Sequence, residues 1–208
     1  MDTAKLKRFA QDARRMLIEQ VETKLTAVLK EDSLARRESK IAVHSLEEEI
    51  SKTSRERVVE RVAYLWFNRF CAFRFMDVNG YTKVSVVSPR EEATQPEILA
   101  EAKAGQVHDD LQPFINSERL FGLLSGSVVS NEPQQEAYRM LLVASCNQYH
   151  KLMPFLFEKI EDFSELLLPD DLLSGNSILA YTREAMTKES CENVEVIGWL
   201  YQFYISEK

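Results

Sequence analysis

The chain has 208 residues with 45% apolar and 28% charged side chains, six glycines and six prolines, values that exclude wholesale disorder, a coiled-coil rod and a loop-rich β-protein. A body of this length buries about 70% of its unfolded surface, enough for a real core. The net charge of −7 is uneven: residues 1–80 hold 16 Lys and Arg against 13 Asp and Glu, the remainder 10 against 20, which excludes strong non-specific nucleic-acid binding by the whole surface and leaves room only for a local basic face.

Cys71, Cys146 and Cys191 are scattered and set in apolar or helical contexts, which points to reduced thiols rather than a disulfide framework. The stretch Met1 to Arg8 is polar and basic, and no run approaches the ~18 apolar residues of a membrane span. A cytoplasmic protein with no membrane contact is expected.

Phe9, Ala13, Met16, Leu17, Val21, Leu25, Val28 and Leu29 recur at helical spacing, predicting an amphipathic helix over 4–30 with Arg14 and Arg15 beside its buried stripe. From Glu31 to Ser51 charge rises and apolar positions thin to Leu34, Ile41, Val43, Leu46 and Ile50, the pattern of a solvated helix or charged linker. Thr53 followed by Glu56 has the form of a capping box, and the aromatic run from Val58 through Met76 reaches a stop at Asn79-Gly80. A helix over about 54–79 is roughly 39 Å long. Its apolar residues, among them Val62, Trp66, Phe67, Phe70 and Phe73, occupy more than one face, as the spine of a domain requires.

Val84, Val86 and Val87 before Pro89 predict at most a short strand or hairpin near 81–88. Pro96 opens a short helix to Lys103, whereas Pro113, Gly122 and Gly126 break any single period between Asp109 and Ser130. Asn131 as cap and Pro133 in the first turn open a strong helix through Tyr149, ended or kinked by Pro154. Short helical turns are expected from Phe155 to Pro169, then a helix from Asn176 or Ser177 to Lys188 and a last one capped by Asn193 and ending near Ser206. The expected fold is mainly α, a multi-helix bundle around the long central helix.

No complete catalytic constellation is legible. Gly122 and Gly126 lack the Lys-Ser/Thr of a phosphate loop, and Cys146 with His150 is too small a ligand set for structural zinc, so no metal is expected. His44 and His108 have no partnered nucleophile. Glu101-Ala102-Lys103 has the acid-x-Lys form of metal-dependent nucleases, but the nearest upstream acid on a regular element, Asp77, sits at a helix end.

Arg57, Arg61, Arg69 and Arg74 on the long helix are candidates for contact with DNA phosphates, weighed against the commoner reading that Glu56 and Glu60 form intrahelical ion pairs with the first two. The last segment, Val194 to Ser206, is dense in aromatics; it either packs deeply into this domain or marks a domain junction, with Trp199, Phe203 and Tyr204 as candidates for the interface.

Four blocks carry a resemblance in the same order. They are Glu60-Arg61-Val62-Ala63-Tyr64-Leu65-Trp66-Phe67-Asn68-Arg69-Phe70 continuing at Arg74 to Tyr81, Met153 to Glu158, Leu166 to Leu173, and Ile197 to Ser206. They resemble the N-terminal region of the PglX family, the adenine-specific DNA methyltransferases of BREX phage-defence systems. The resemblance implies a parent enzyme that uses S-adenosylmethionine to methylate adenine N6 in a short non-palindromic site, a restriction-modification-like marking of host DNA. The family's Gly-x-Gly methyl-donor loop is absent here, and no two prolines are adjacent, so the Asn-Pro-Pro-Tyr-type motif is absent too. Both lie downstream in the family, so no catalytic or cofactor-binding residue carries over.

The resemblance therefore implies that residues 1–208 are an N-terminal helical domain, with an amphipathic helix and charged linker over 1–52 and a main helical body over 53–208, lacking the catalytic domain. Its expected role is a scaffold and DNA clamp, its partners DNA, its own downstream catalytic domain and other BREX proteins. The alternative is a protein-interaction module whose acidic C-terminal half, Glu158 to Asp171 included, docks other defence components without touching DNA. An independent small enzyme is disfavoured by the missing motifs.

Overall fold

A computed structural model describes residues 3–91, 93–154, 156–157 and 163–206. Helix α1 (Thr3–Val28) buries Leu6, Phe9, Ala10, Ala13, Leu17, Val21, Leu25 and Val28, the stripe that the sequence spacing lays on one face. The charged stretch that follows is helix rather than linker. Ser33 caps α2 (Leu34–Glu38) by accepting from the Arg36 amide, and α3 (Lys40–Lys52) buries Val43 and Leu46 completely enough to join the core. Arg36 ties this corner together by donating to the Leu29 carbonyl at 3.1 Å.

The spine is α4 (Arg55–Val78), about 36 Å long. Its N-cap is Ser54, whose hydroxyl accepts from the Arg57 amide at 3.2 Å, not Thr53 as the sequence pattern predicts. Glu56 supplies the acid of the first turn in either register. Val58, Val62, Ala63, Trp66, Phe67, Phe70, Phe73 and Met76 are all buried, so α4 is enclosed on more than one side. Asn79 and Gly80 end it as expected: Gly80 takes the left-handed φ of 68° and the Tyr81 amide donates to the Met76 carbonyl at 2.8 Å.

Residues 81–88 form no strand or hairpin, in keeping with the expectation of at most a short one, and the absence has a physical cause. Among the described residues the chain offers no partner strand there, and a single bridge between Pro89 and Pro96 is all the pairing that forms nearby. Side chains take the place of a ladder. The Asp77 carboxylate accepts from the Val86, Val87 and Ser88 amides and from the Thr82 hydroxyl, each at 2.9 Å. The carbonyls of Val86 and Val87 accept from Tyr138 Oη at 3.0 Å and Arg183 Nη1 at 3.2 Å. Val86 and Val87 can then be buried without an unsatisfied backbone.

Helix α5 (Glu97–Lys103) follows, then a 3₁₀ turn (Asp109–Phe114) and α6 (Ser117–Ser125), capped by Asn116 and stopped at Gly126. Helix α7 (Pro133–His150) starts on Pro133 at its first position, but the expected Asn131 cap is not used; Glu132 stands at the cap and makes no side-chain bond. The described part of 153–169 is turns, with Phe157 and Phe163 buried, while Phe155 and Ile160 lie outside the described residues. Ser177 caps α8 (Ile178–Ala185), and α9 (Glu195–Ile205) closes the described chain.

Helix α1 lies against α4, α8 and α9, while α7 packs on α5 and α6. Aromatic rings join the layers: Phe67 meets Phe9 at 5.9 Å and Tyr204 at 4.5 Å, and Phe73 meets Phe157 at 4.7 Å and Tyr149 at 5.7 Å. Trp66 is fully buried and donates from Nε1 to the Ser164 carbonyl at 3.0 Å, fixing the 163–168 turns to the spine.

Candidate nucleic-acid interface

The four arginines chosen from sequence have separate fates. Arg69 is 1% exposed, with its guanidinium 4.8 Å from the centre of the Trp66 ring, so it is a core residue out of reach of a bulky ligand. Arg74 is half-buried and works inward, donating from Nε to the Met186 carbonyl at 2.9 Å and from Nη1 to Ser88 Oγ at 2.8 Å; burial lowers its pKa. Arg57 and Arg61 lie one turn apart on the solvent side of α4. Arg61 pairs with Glu49 of α3 at 2.8 Å and sits 5.5 Å over the Phe163 ring. Arg57 is exposed and has no ion pair among the described residues.

Acids beside this face pair between helices. Glu60 accepts from Arg14 of α1 at 2.9 Å, and Glu22 accepts from Arg55 Nε at 2.7 Å. These ion pairs, with that of Arg61 and Glu49, cross-link α4 to α1 and α3. Such half-exposed pairs are each worth only about 0–1 kcal/mol.

These residues open onto a cleft of about 440 Å³ between α1, α4 and α9. Arg14, Arg57, Glu60 and Arg61 line it together with Tyr64, Tyr201, Tyr204 and Ile205. The three rings form a connected group, Tyr64 lying 5.8 Å from Tyr201 and 5.5 Å from Tyr204. Burial pushes the Tyr64 hydroxyl upward in pKa, aided by its bond with Tyr201. Tyr204 is only 2% exposed, its ring lies 5.9 Å from the Arg14 guanidinium, and its hydroxyl has no hydrogen-bond partner among the described residues. Tyr64 and Tyr201 were not singled out from sequence, because their meeting depends on how α9 crosses α4.

The interface candidates on α9 divide likewise. Tyr204 is core, Phe203 is half-buried against Trp199 at 5.9 Å, and Trp199 is 37% exposed. Tyr201 and Ile205, with Val194 just before the helix, add to the exposed apolar surface here. Of the acidic stretch from Glu158 to Asp171, residues 158–162 lie outside the described residues; Asp170 pairs with Lys24 and with Arg139, the latter at 2.7 Å.

A larger groove of about 610 Å³ runs between α1, α2 and α7, but its cations are paired, Arg119 with Glu136 at 2.8 Å and Lys24 and Arg139 with Asp170. Glu101 accepts from Arg90 at 2.6 Å while Lys103 reaches Gln95 and Gln134, so the acid-x-Lys motif is divided between two surface networks. Cys146 is buried with its thiol pushed up to about 12, and His150 Nδ1 lies 2.8 Å from the Phe157 carbonyl. Among the described residues no group of three or more His, Cys, Asp or Glu is placed to hold a metal, and no helix is long and apolar enough to cross a membrane.

No family model matches the chain. It is 43% identical over 168 residues, 77% of its own length, to the adenine-specific methyltransferase BrxX of Escherichia coli O9:H4 (strain HS). It is 30% identical over 244 residues, 100% of its own length, to the adenine-specific methyltransferase PglX of Lacticaseibacillus casei (strain Zhang). The chain spans 13% and 20% of the length of these relatives.

Proposed function

Because this chain belongs to the family of adenine-specific methyltransferases that includes BrxX and PglX, we propose that it is a non-catalytic helical scaffold and DNA-clamp domain of such an enzyme. The parent would be a BREX phage-defence methyltransferase, acting in the cytoplasm, that transfers a methyl group from S-adenosylmethionine to adenine N6 in DNA. The donor site and target-base pocket belong to the parent's catalytic domain, on which this domain packs. The observation that carries the clamp reading is the solvent-facing pair Arg57 and Arg61, with Arg57 free of ion pairs among the described residues. A cation with no carboxylate to leave has the least to lose on meeting a phosphate. Arg69 and Arg74 take no part in DNA contact, since their guanidinium groups serve the fold.

The test is duplex DNA binding by the chain across a salt series. Each phosphate contact steepens the dependence of log affinity on log salt by about 0.9, so Arg57→Ala with Arg61→Ala is expected to flatten the slope by roughly two. Methyl transfer from labelled S-adenosylmethionine supplies the second arm: activity is expected only when the chain is extended through the catalytic domain. Turnover by the 208-residue chain alone, or by neither protein, sinks the reading.

A second reading, a module that docks other defence proteins without touching DNA, draws on the exposed apolar residues Trp199, Tyr201 and Ile205 of α9 and Val194 just before it. It predicts no duplex binding at any salt.

A further inference from the structure

We infer that the cleft between α1, α4 and α9 is a binding site for a single nucleotide unit, its phosphate held by Arg57 and Arg61 and its base against Tyr64 and Tyr201. The volume of about 440 Å³ falls in the ~300–1,000 Å³ range of small-ligand sites and is far too small for a duplex. Its chemistry is two-sided. Three guanidinium groups line it, those of Arg14 and Arg61 paired with Glu60 and Glu49 and that of Arg57 without an ion pair among the described residues, together with a group of three phenol rings. A phosphate ester bearing an aromatic base satisfies both sides at once; a bare anion uses only the first and an apolar ligand only the second.

The Tyr204 hydroxyl is the independent sign that something is missing. It is buried with no hydrogen-bond partner among the described residues, in a residue that lines the cleft. A buried hydroxyl left unmade is costly to the fold, and a ligand oxygen or ring nitrogen relieves it. Tyr201, 48% exposed, gains cover when a base lies on it.

The nucleotide has two possible sources, an unpaired position in a DNA strand or a free mononucleotide. The first rests on the DNA-clamp reading and the second does not. Anisotropy of a short fluorescein-labelled deoxythymidylate strand, with deoxythymidine monophosphate and inorganic phosphate as competitors, separates them. The strand is expected to bind, the mononucleotide to compete, and phosphate at equal concentration to compete at least tenfold less well, in keeping with the stacking contribution of a base. Tyr201→Ala and Arg57→Ala, both on the surface, should each weaken binding about tenfold. Tyr204→Phe should weaken it severalfold while leaving the thermal midpoint unchanged or higher, because it removes an unsatisfied hydroxyl without changing the ring.

Mononucleotide binding without strand binding supports the site with a free nucleotide as its ligand. Equal competition by inorganic phosphate, or strand binding indifferent to both Tyr201→Ala and Tyr204→Phe, overturns it. Duplex binding that depends on Arg57 while neither mononucleotide nor strand enters the cleft overturns the site and leaves the clamp reading standing. Mononucleotide or strand binding with no duplex binding does the reverse.

Discussion

Alanine at Asp77 is expected to cost the chain about 4 kcal/mol of stability and to lower its thermal midpoint by roughly 8–16 °C. The carboxylate sits in the last turn of α4, where the helix dipole disfavours negative charge. Burial also pushes its pKa above the usual carboxylate range, against the pull of its donors. It is kept because four donors converge on it, and three of these are the amides of the buried residues Val86, Val87 and Ser88. Removing the acceptor leaves those amides without partners in a space too closed for bulk water. Asp77→Asn is a sharper probe. One amide oxygen still accepts two bonds, but the new NH₂ faces donors, so about half of the loss should remain. Thermal and urea unfolding followed by circular dichroism measure both, and an alanine variant within 1 kcal/mol of the parent, on the scale of an ordinary surface substitution, contradicts this account.

Trp66→Ala is expected to lose about 3–5 kcal/mol, through the cavity left by a fully buried side chain of α4. Trp66→Phe separates packing from hydrogen bonding. It keeps most of the volume but withdraws the Nε1 donor from the Ser164 carbonyl, which should cost roughly 1–3 kcal/mol by itself. The second variant has a reading beyond stability. Ser164 follows Phe163, whose ring lies under Arg61, so loosening this turn should weaken any DNA binding that depends on Arg61 while leaving that of Arg57 in place. The comparison is the salt slope of Trp66→Phe against that of Arg61→Ala in the same titration.

The helices were legible because burial in them follows the 3.6 period. The α1 stripe and the all-round burial of α4 can be read from residue spacing alone, and Asn79-Gly80 and Pro133 mark ends and beginnings by backbone preference. The run Val84 to Val87 leaves strand and loop open, because β-branched residues favour an extended backbone and extension alone does not supply a neighbour. What decides between strand and loop here is a carboxylate within α4, a tyrosine on α7 and an arginine on α8, positions that no local window compares. The candidate arginines fared similarly. All lie on one helix in the sequence, but the solvent side of α4 is set by what packs on it, so Arg69 faces Trp66 and Arg57 faces water. The cleft was illegible for the same reason, since Arg14, Tyr64 and Tyr201 come from three helices.

The segment wound round Asp77 also has a dynamic consequence. Hydrogen exchange in loops is ordinarily fast, because few bonds need to open. Here the Val86, Val87 and Ser88 amides can be released only by withdrawing the end of α4, while the neighbouring carbonyls are held from α7 and α8. Those three amides should exchange as slowly as the centres of the helices, making an irregular stretch one of the last parts of the molecule to open. A connection of this kind joins its helices into one cooperative unit: α4, α7 and α8 cannot part company without breaking it, so whatever strains one of them is felt by the other two.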